Sequence, residues 1–328
     1  LSKLTVVSDQ TVAPEQAGQV EEMLKPQGGR FINGLKELSD QEVQQTLKET
    51  EVMYVRDPQA ERFKTASNLK WMHIPWVGVN LVLADQAVVN SPVILTNGAG
   101  VITASVADQV MAFILNFSRQ MPFQWEAQKR KEWSWKELNA LGQLDELTGQ
   151  TCGIIGYGKI GTEIGKRAKA FGMRVIATRS NPQAPAEYLD QALSNEQLPE
   201  LLAQSDFVVV TAPLTPETKG LLGKAQFEQM KRSAILVNIA RGQLVKEQEL
   251  VEALRAGTIA GAGLDVFEQE PLPASSPLWE LDNVILTPHS AGMFKRLEQN
   301  SIKFFVAQLQ RYIKGEELKN IVDKKRGY

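Results

Sequence analysis

The run Gly153-Ile154-Ile155-Gly156-Tyr157-Gly158-Lys159-Ile160-Gly161 constrains this chain more than any other stretch. An apolar, strand-like segment enters it and a helical pattern over residues 162–171 leaves it. In that context Gly156-x-Gly158-x-x-Gly161 predicts the opening of a βαβ unit built to hold a dinucleotide. Each glycine has its own task. Gly156 permits the tight turn, Gly158 lets backbone approach a pyrophosphate that a Cβ would repel, and Gly161 lets helix and sheet pack closely. The helix N-terminus adds N–H donors and a partial positive charge. Tyr157, Lys159 and Ile160 complete the candidate cofactor turn. The alternative is a purely structural glycine turn.

The end of the next strand, residues 174–178, selects the cofactor. An acidic residue about 20 positions beyond the turn binds the ribose 2′-hydroxyl in NAD sites. Here the strand ends in Thr178-Arg179-Ser180, with no carboxylate. A guanidinium flanked by hydroxyls suits a 2′-phosphate, so NADP(H) is expected to be preferred, with NAD(H) possible. The bland alternative is that Arg179 stacks on the adenine of either cofactor.

The surrounding sequence alternates strand-like and helix-like segments. Runs at 151–155, 174–178, 207–211, 234–238, 260–265 and 284–286 predict six parallel strands with intervening helices, a doubly wound sheet. The first hundred residues carry the same alternation, with strands at 4–7, 30–32, 52–55, 71–73 and 93–96 and helices at 14–24 and 40–49. With 328 residues there is room for two such domains. Between them, residues 103–119 are apolar almost all round and predict a buried helix. Residues 120–146 are polar yet carry Trp125, Trp133 and Trp135, which points to an interface, with contacts inside the chain as the alternative. Residues 291–313 have helical spacing.

Composition excludes several classes. Lys plus Arg number 36 and Asp plus Glu 38, so neither nucleic acid nor an anionic membrane is an expected partner. No stretch approaches the roughly 18–20 apolar residues of a membrane span, and residues 1–9 lack a signal-peptide core. The single cysteine, Cys152, lies in an apolar run and reads as a buried structural thiol. It allows neither an internal disulfide nor a cysteine-based zinc site, and no metal is expected. A cytoplasmic location is the default.

Two histidines are present, His73 and His289. His73 falls inside a strand and reads as structural. His289, in Thr287-Pro288-His289-Ser290-Ala291-Gly292, follows the last strand, at the edge where open α/β sheets hold ligands. Imidazole there suits proton transfer.

Several further segments stand in a telling order: Thr211-Ala212-Pro213-Leu214-Thr215-Pro216-Glu217-Thr218-Lys219-Gly220, Val237-Asn238-Ile239-Ala240-Arg241-Gly242, and Gly263-Leu264-Asp265-Val266-Phe267-Glu268-Gln269-Glu270-Pro271. Together with the glycine turn and Thr287-Pro288-His289, they resemble the D-isomer-specific 2-hydroxyacid dehydrogenases over nearly the whole chain. The resemblance implies a Rossmann cofactor domain, residues 103–288, inserted into a flavodoxin-like substrate domain formed by 1–102 and 289–328. It implies hydride transfer between a nicotinamide cofactor and a small 2-oxo or 2-hydroxy acid in a cleft between the two, and a homodimer formed through the arm 120–146.

The same resemblance assigns roles. Arg241 binds the substrate carboxylate and polarises the carbonyl, His289 donates or accepts the proton, and Glu270 orients His289. Val77 and Gly78 offer backbone N–H groups to the substrate carboxylate, while Arg56 either adds positive charge there or pairs with a neighbouring helix. Thr211, Ala212, Pro213 and Thr218 line the adenosine side, Ile239 and Ala240 the nicotinamide side, and Asp265 holds the nicotinamide carboxamide. Two positions depart from the family pattern: Asp108 replaces a frequent Glu, and Ser290 replaces an apolar residue beside His289. The leading expectation is a glyoxylate or hydroxypyruvate reductase-like enzyme. The alternatives are a phosphoglycerate dehydrogenase-like enzyme and a dinucleotide-sensing, corepressor-like binding protein.

Overall fold

The computed structural model describes residues 3–36, 38–57, 60–142 and 144–327. Gln143 of the 120–146 arm, and Leu1 and Ser2 of the leading segment, lie outside the described residues. The chain divides into two units, Leu1–Ile102 with Phe294–Tyr328, and Thr103–Met293.

In the first unit, β1 (Thr5–Ser8), α1 (Pro14–Leu24), β2 (Arg30–Asn33), α2 (Asp40–Glu49) and β3 (Val52–Tyr54) lead to α3 (Ala60–Thr65) and β4 (Trp71–Ile74). Two short helices, α4 (Asn80–Leu83) and α5 (Gln86–Asn90), precede β5 (Ile94–Asn97). All pairs are parallel, in the order β2-β1-β3-β4-β5, the flavodoxin-like arrangement. Local chemistry sets the helix starts: Pro14 occupies the first turn of α1, where a missing N–H is harmless, and Ser39 with Glu42 forms a capping box for α2. The pleat sends alternate side chains to opposite faces. Val6, Tyr54 and Trp71 join Val20 of α1 and Phe305 on one face, while Val7, Met53, Met72 and Leu47 of α2 form the other.

The second unit opens with α6 (Thr103–Ser118), then α7 (Met121–Lys129) and α8 (Trp135–Ala140). Its sheet is built from β6 (Thr151–Ile155), β7 (Arg174–Thr178), β8 (Gln191–Leu193), β9 (Phe207–Val210), β10 (Ile235–Asn238), β11 (Gly261–Leu264) and β12 (Val284–Leu286). Between them run α9 (Lys159–Ala170), α10 (Leu198–Gln204), α11 (Lys224–Phe227) and α12 (Glu247–Arg255). The parallel order β12-β11-β10-β9-β6-β7-β8 is the doubly wound dinucleotide-binding arrangement with one strand added at the β12 edge. α6 is largely buried, and a Cβ on Gly263 would strike the Phe113 ring, so bare β11 backbone is what admits this helix. The chain then returns to the first unit as α13 (Leu297–Ile313). Beyond it the N–H of Val322 donates to Leu95 (2.8 Å), covering the β5 edge.

The structure corrects four expectations. β8 adds a seventh strand; Gln-Ala-Leu is short and lacks β-branched residues, so nothing in its pattern announces it. The helix after the glycine turn begins at Lys159 rather than 162, because Gly158 itself caps it. The tail helix starts at Leu297, after the turns at 291–296, rather than at 291. The boundary between units lies at 293/294 rather than 288/289, since hydrogen bonds hold residues 289–291 to Asp265, the residue after β11.

Candidate functional site

The glycine turn sits at the C-terminal ends of β6 and β9. Gly156 has φ +91°, and a Cβ there would lie 2.8 Å from the Cα of Ala212. Its N–H donates to Thr178 (3.1 Å), and the Thr211 hydroxyl donates to its carbonyl. A Cβ on Gly161 would come within 3.0 Å of the Gly156 carbonyl oxygen. Gly158 is different. It is exposed, and a Cβ there would meet nothing within 4 Å. The space it keeps open faces the N-terminus of the 12-residue helix α9. A pyrophosphate needs such a cradle, so these residues fit a dinucleotide. Tyr157 is buried beneath the turn and donates to the Glu187 carbonyl (2.7 Å); burial pushes its hydroxyl up to about 12.

Around the turn, Thr178 is buried, and Arg179 is half-buried with Nη1 donating to the Ala184 carbonyl (3.1 Å). Ser180 is exposed beside it. Ala212 is buried against Gly156, Pro213 is exposed, and the Thr218 hydroxyl donates to the Pro213 carbonyl (2.7 Å), bracing their loop.

Arg241, Glu270 and His289, far apart in sequence, lie at the C-terminal ends of neighbouring strands. Arg241 follows β10. The Asn238 side chain accepts from the Ala240 N–H (3.1 Å) and donates to the Arg241 carbonyl (3.0 Å), closing the turn that presents it. Gly242 comes next, and any Cβ there would collide with the backbone of Phe267 and Glu268. That close approach brings Arg241 into electrostatic range of Glu270. Burial holds the guanidinium below its ordinary value, opposed by Glu270, and it stays charged at any physiological pH. Glu270 is anchored by the Phe267 N–H, which donates to Oε1 (3.0 Å). Its Oε2 lies 2.7 Å from His289 Nδ1. An ionised carboxylate only accepts, so Nδ1 carries the hydrogen and Nε2 is left for chemistry.

His289 has φ +50°, a left-handed conformation that costs a non-glycine residue roughly 1–2 kcal/mol. Asp265, 1% exposed, is wrapped by the same loop. Its Oδ1 accepts from the Thr287 hydroxyl (2.5 Å) and the Ser290 N–H (2.9 Å), and its Oδ2 accepts from the Ala291 N–H (2.9 Å). Its carbonyl accepts from the His289 N–H (2.9 Å). Ile239 is buried and Ala240 partly so at the end of β10.

Arg56, Val77 and Gly78 belong to the first unit. Arg56 Nη1 is 3.2 Å from Glu298 of α13, so the salt bridge is the alternative the structure contains. Val77 and Gly78 lie after β4. Asn97 donates to the Val77 carbonyl (3.0 Å), and among the described residues neither Val77 nor Gly78 donates its own N–H. His73 is fully buried, its Nδ1 2.8 Å from the Thr96 hydroxyl, stacked with Tyr54 and Phe305. Cys152 is buried, its thiol pushed up to about 12, as a structural residue should be. No group of three or more metal-ligating side chains occurs among the described residues.

Sequence reasoning passed over Asn238, Gly242 and Thr287. Gly242 carried a usable signal, a glycine directly after a candidate anion-binding arginine. Asn238 and Thr287 carried none, because their partners lie in loops that only the fold brings together.

Residues 111–291 match the family model of the D-isomer specific 2-hydroxyacid dehydrogenase, NAD binding domain. The chain is 36% identical over 277 residues to a glyoxylate reductase of Korarchaeum cryptofilum, covering 83% of this chain and 82% of that one. It is 35% identical over 290 residues to a D-3-phosphoglycerate dehydrogenase of Methanocaldococcus jannaschii, covering 87% of this chain but 54% of that protein. This chain therefore spans about half the length of that relative. Its fold is similar, with TM-score 0.81 and 28% identity, to an NADPH-dependent glyoxylate/hydroxypyruvate reductase from Sinorhizobium meliloti in complex with NADP and sulfate. That match covers 99% of this chain and all of the other.

Proposed function

This chain belongs to the D-isomer-specific 2-hydroxyacid dehydrogenases, a family of nicotinamide-dependent oxidoreductases, and from that premise we propose that it reduces a small 2-oxo acid of the glyoxylate or hydroxypyruvate type. The observation that carries the proposal is the His289–Glu270 pair beside the half-buried Arg241, all at the strand ends that also bear the glycine turn.

The roles follow from the groups. Gly156–Gly161 and the α9 N-terminus hold the pyrophosphate of a dinucleotide, whose nicotinamide, when bound, supplies the hydride. Ile239, Ala240, Ala212, Pro213 and Thr218 line its path. Arg241 pairs with the substrate carboxylate through its planar fork and draws charge from the carbonyl. His289, held by Glu270 at Nδ1, gives the proton from Nε2 to the carbonyl oxygen as it becomes an alcohol. In the first unit, the N–H groups of Val77 and Gly78 suit a carboxylate. Arg179, with the exposed Ser180, favours the 2′-phosphate of NADP(H), since no carboxylate at the end of β7 competes for the ribose, while buried Thr178 braces the turn by accepting from the Gly156 N–H.

We further read the chain as a homodimer formed through the arm 120–146 and as cytoplasmic, which its one buried thiol suits. No helix among the described residues is long and apolar enough to cross a membrane.

The test is a panel of 2-oxo acids, including glyoxylate, hydroxypyruvate and 3-phosphohydroxypyruvate, with NADPH and with NADH, followed by loss of reduced-nicotinamide absorbance. Turnover of a small unphosphorylated acid with NADPH preferred is expected. Preference for the phosphorylated acid transfers the enzyme to the phosphoglycerate reading. Dinucleotide binding without turnover on any acid removes the enzymatic proposal.

A further inference from the structure

Asp265 is the most heavily engaged carboxylate near the site, and every donor it meets comes from the segment that carries His289. The Thr287 hydroxyl lies at 2.5 Å, and the Ser290 and Ala291 N–H groups each at 2.9 Å. The same residue's carbonyl takes the His289 N–H at 2.9 Å. Four contacts, from Thr287, His289, Ser290 and Ala291, therefore bracket the one residue of this loop with a left-handed backbone, His289 at φ +50°. At 1% exposure the carboxylate is shut away from water. A buried carboxylate accepting from a hydroxyl and two amides is strongly satisfied, and each bond is charge-assisted.

We propose that Asp265 is a positioning residue for His289: it holds the 287–291 loop in the strained conformation that sets imidazole Nδ1 against Glu270 and turns Nε2 outward. Thr287 is part of the same device, since its hydroxyl is the loop's only side-chain donor to Asp265 among the described residues. Two acceptor oxygens are needed because the Ser290 and Ala291 N–H groups, one on each oxygen, can only donate. An amide at this position would turn an NH₂ toward one of them and release one end of the loop. The inference rests on the reading of His289 as proton donor only for its consequence in turnover; the geometric claim stands by itself.

The experiment uses the whole chain with ¹⁵N-labelled histidine. There are two histidines, and fully buried His73 serves as an internal reference for folding. Two-bond ¹H–¹⁵N correlation spectra report which ring nitrogen carries the proton. In the wild type, His289 is expected to show a fixed Nδ1–H tautomer. In Asp265→Asn it should move toward the averaged pattern of a free imidazole, with the His73 pattern unchanged. If Asp265→Asn also loses the His73 pattern it has unfolded, and Thr287→Val, which removes one hydroxyl, decides by the same readout. A His289 pattern identical to wild type in the folded variant overturns the proposal. Turnover separates the two readings: with the imidazole displaced, kcat should fall by about 100-fold, as expected for a misplaced group. Weakened dinucleotide binding with an undisturbed imidazole assigns Asp265 to the cofactor instead. If His289→Ala retains full turnover, the proton-donor reading fails while the spectroscopic result still judges the positioning role.

Discussion

His73 and His289 divide the chemistry available to imidazole in one chain. His289 is half exposed and paired with a carboxylate. His73 is walled in by Tyr54, Trp71, Phe304 and Phe305, with no partner for Nε2 among the described residues. Burial pushes its imidazole down to about 3 from the usual 6.5. The native state therefore refuses a proton that the unfolded chain accepts. Its contribution to stability is intact above pH 6.5 and is lost as pH falls toward 3, at about 1.4 kcal/mol per pH unit. Between pH 6.5 and 5, where ordinary carboxylates remain ionised, Tm should fall with pH in the wild type and fall less in His73→Phe. Parallel Tm–pH curves for the two proteins would refute the linkage. At Arg241, replacement by Lys keeps the charge but loses the fork. KM for the 2-oxo acid should rise at least about tenfold, a loss on the order of 1.4 kcal/mol in steady-state kinetics; an unaltered KM contradicts the carboxylate role.

Elements explain why some of this was legible and some was not. β6 and β7 run exactly as their β-branched runs suggest, and the glycine turn announces α9 because three glycines at that spacing do three separate physical jobs. β8 was silent, since a three-residue edge strand with one leucine is defined by its neighbour β7 rather than by its own pattern. The Asp265 clamp was silent too: its partners are mostly backbone N–H groups, which no side-chain pattern reveals. The glycine turn yields a paired prediction. Gly156→Ala forces a side chain into φ +91° and against Ala212 backbone, so stability should drop on the order of 1–3 kcal/mol by denaturant unfolding. Gly158→Ala meets no atom and has a negative φ, so Tm should hold while dinucleotide Kd rises about tenfold or more by calorimetry. Equal effects of the two substitutions on stability would mean that Gly158 serves the fold rather than the phosphates.

At the scale of the whole molecule, local periodicity yields strands and helices but neither their order in a sheet nor a first unit completed by the last segment of the chain. Those came from resemblance, because topology depends on long-range pairing such as β1 between β2 and β3. The arm raises the matching question for assembly. Trp133 is 96% exposed and Trp135 64%, with Trp125 also exposed, within a short stretch of α7, α8 and their connection. Large aromatic surfaces left in water at this density are atypical of a monomer and typical of a partner surface. A second copy fits, since a two-fold interface lets one aromatic stretch meet its own counterpart. Trp133→Glu would place charge in that contact while touching no core residue, so circular dichroism should be unchanged. Light scattering should then move from dimer mass to monomer mass. A wild-type monomer at tens of micromolar, or a variant that stays dimeric, would assign these tryptophans to something other than self-association.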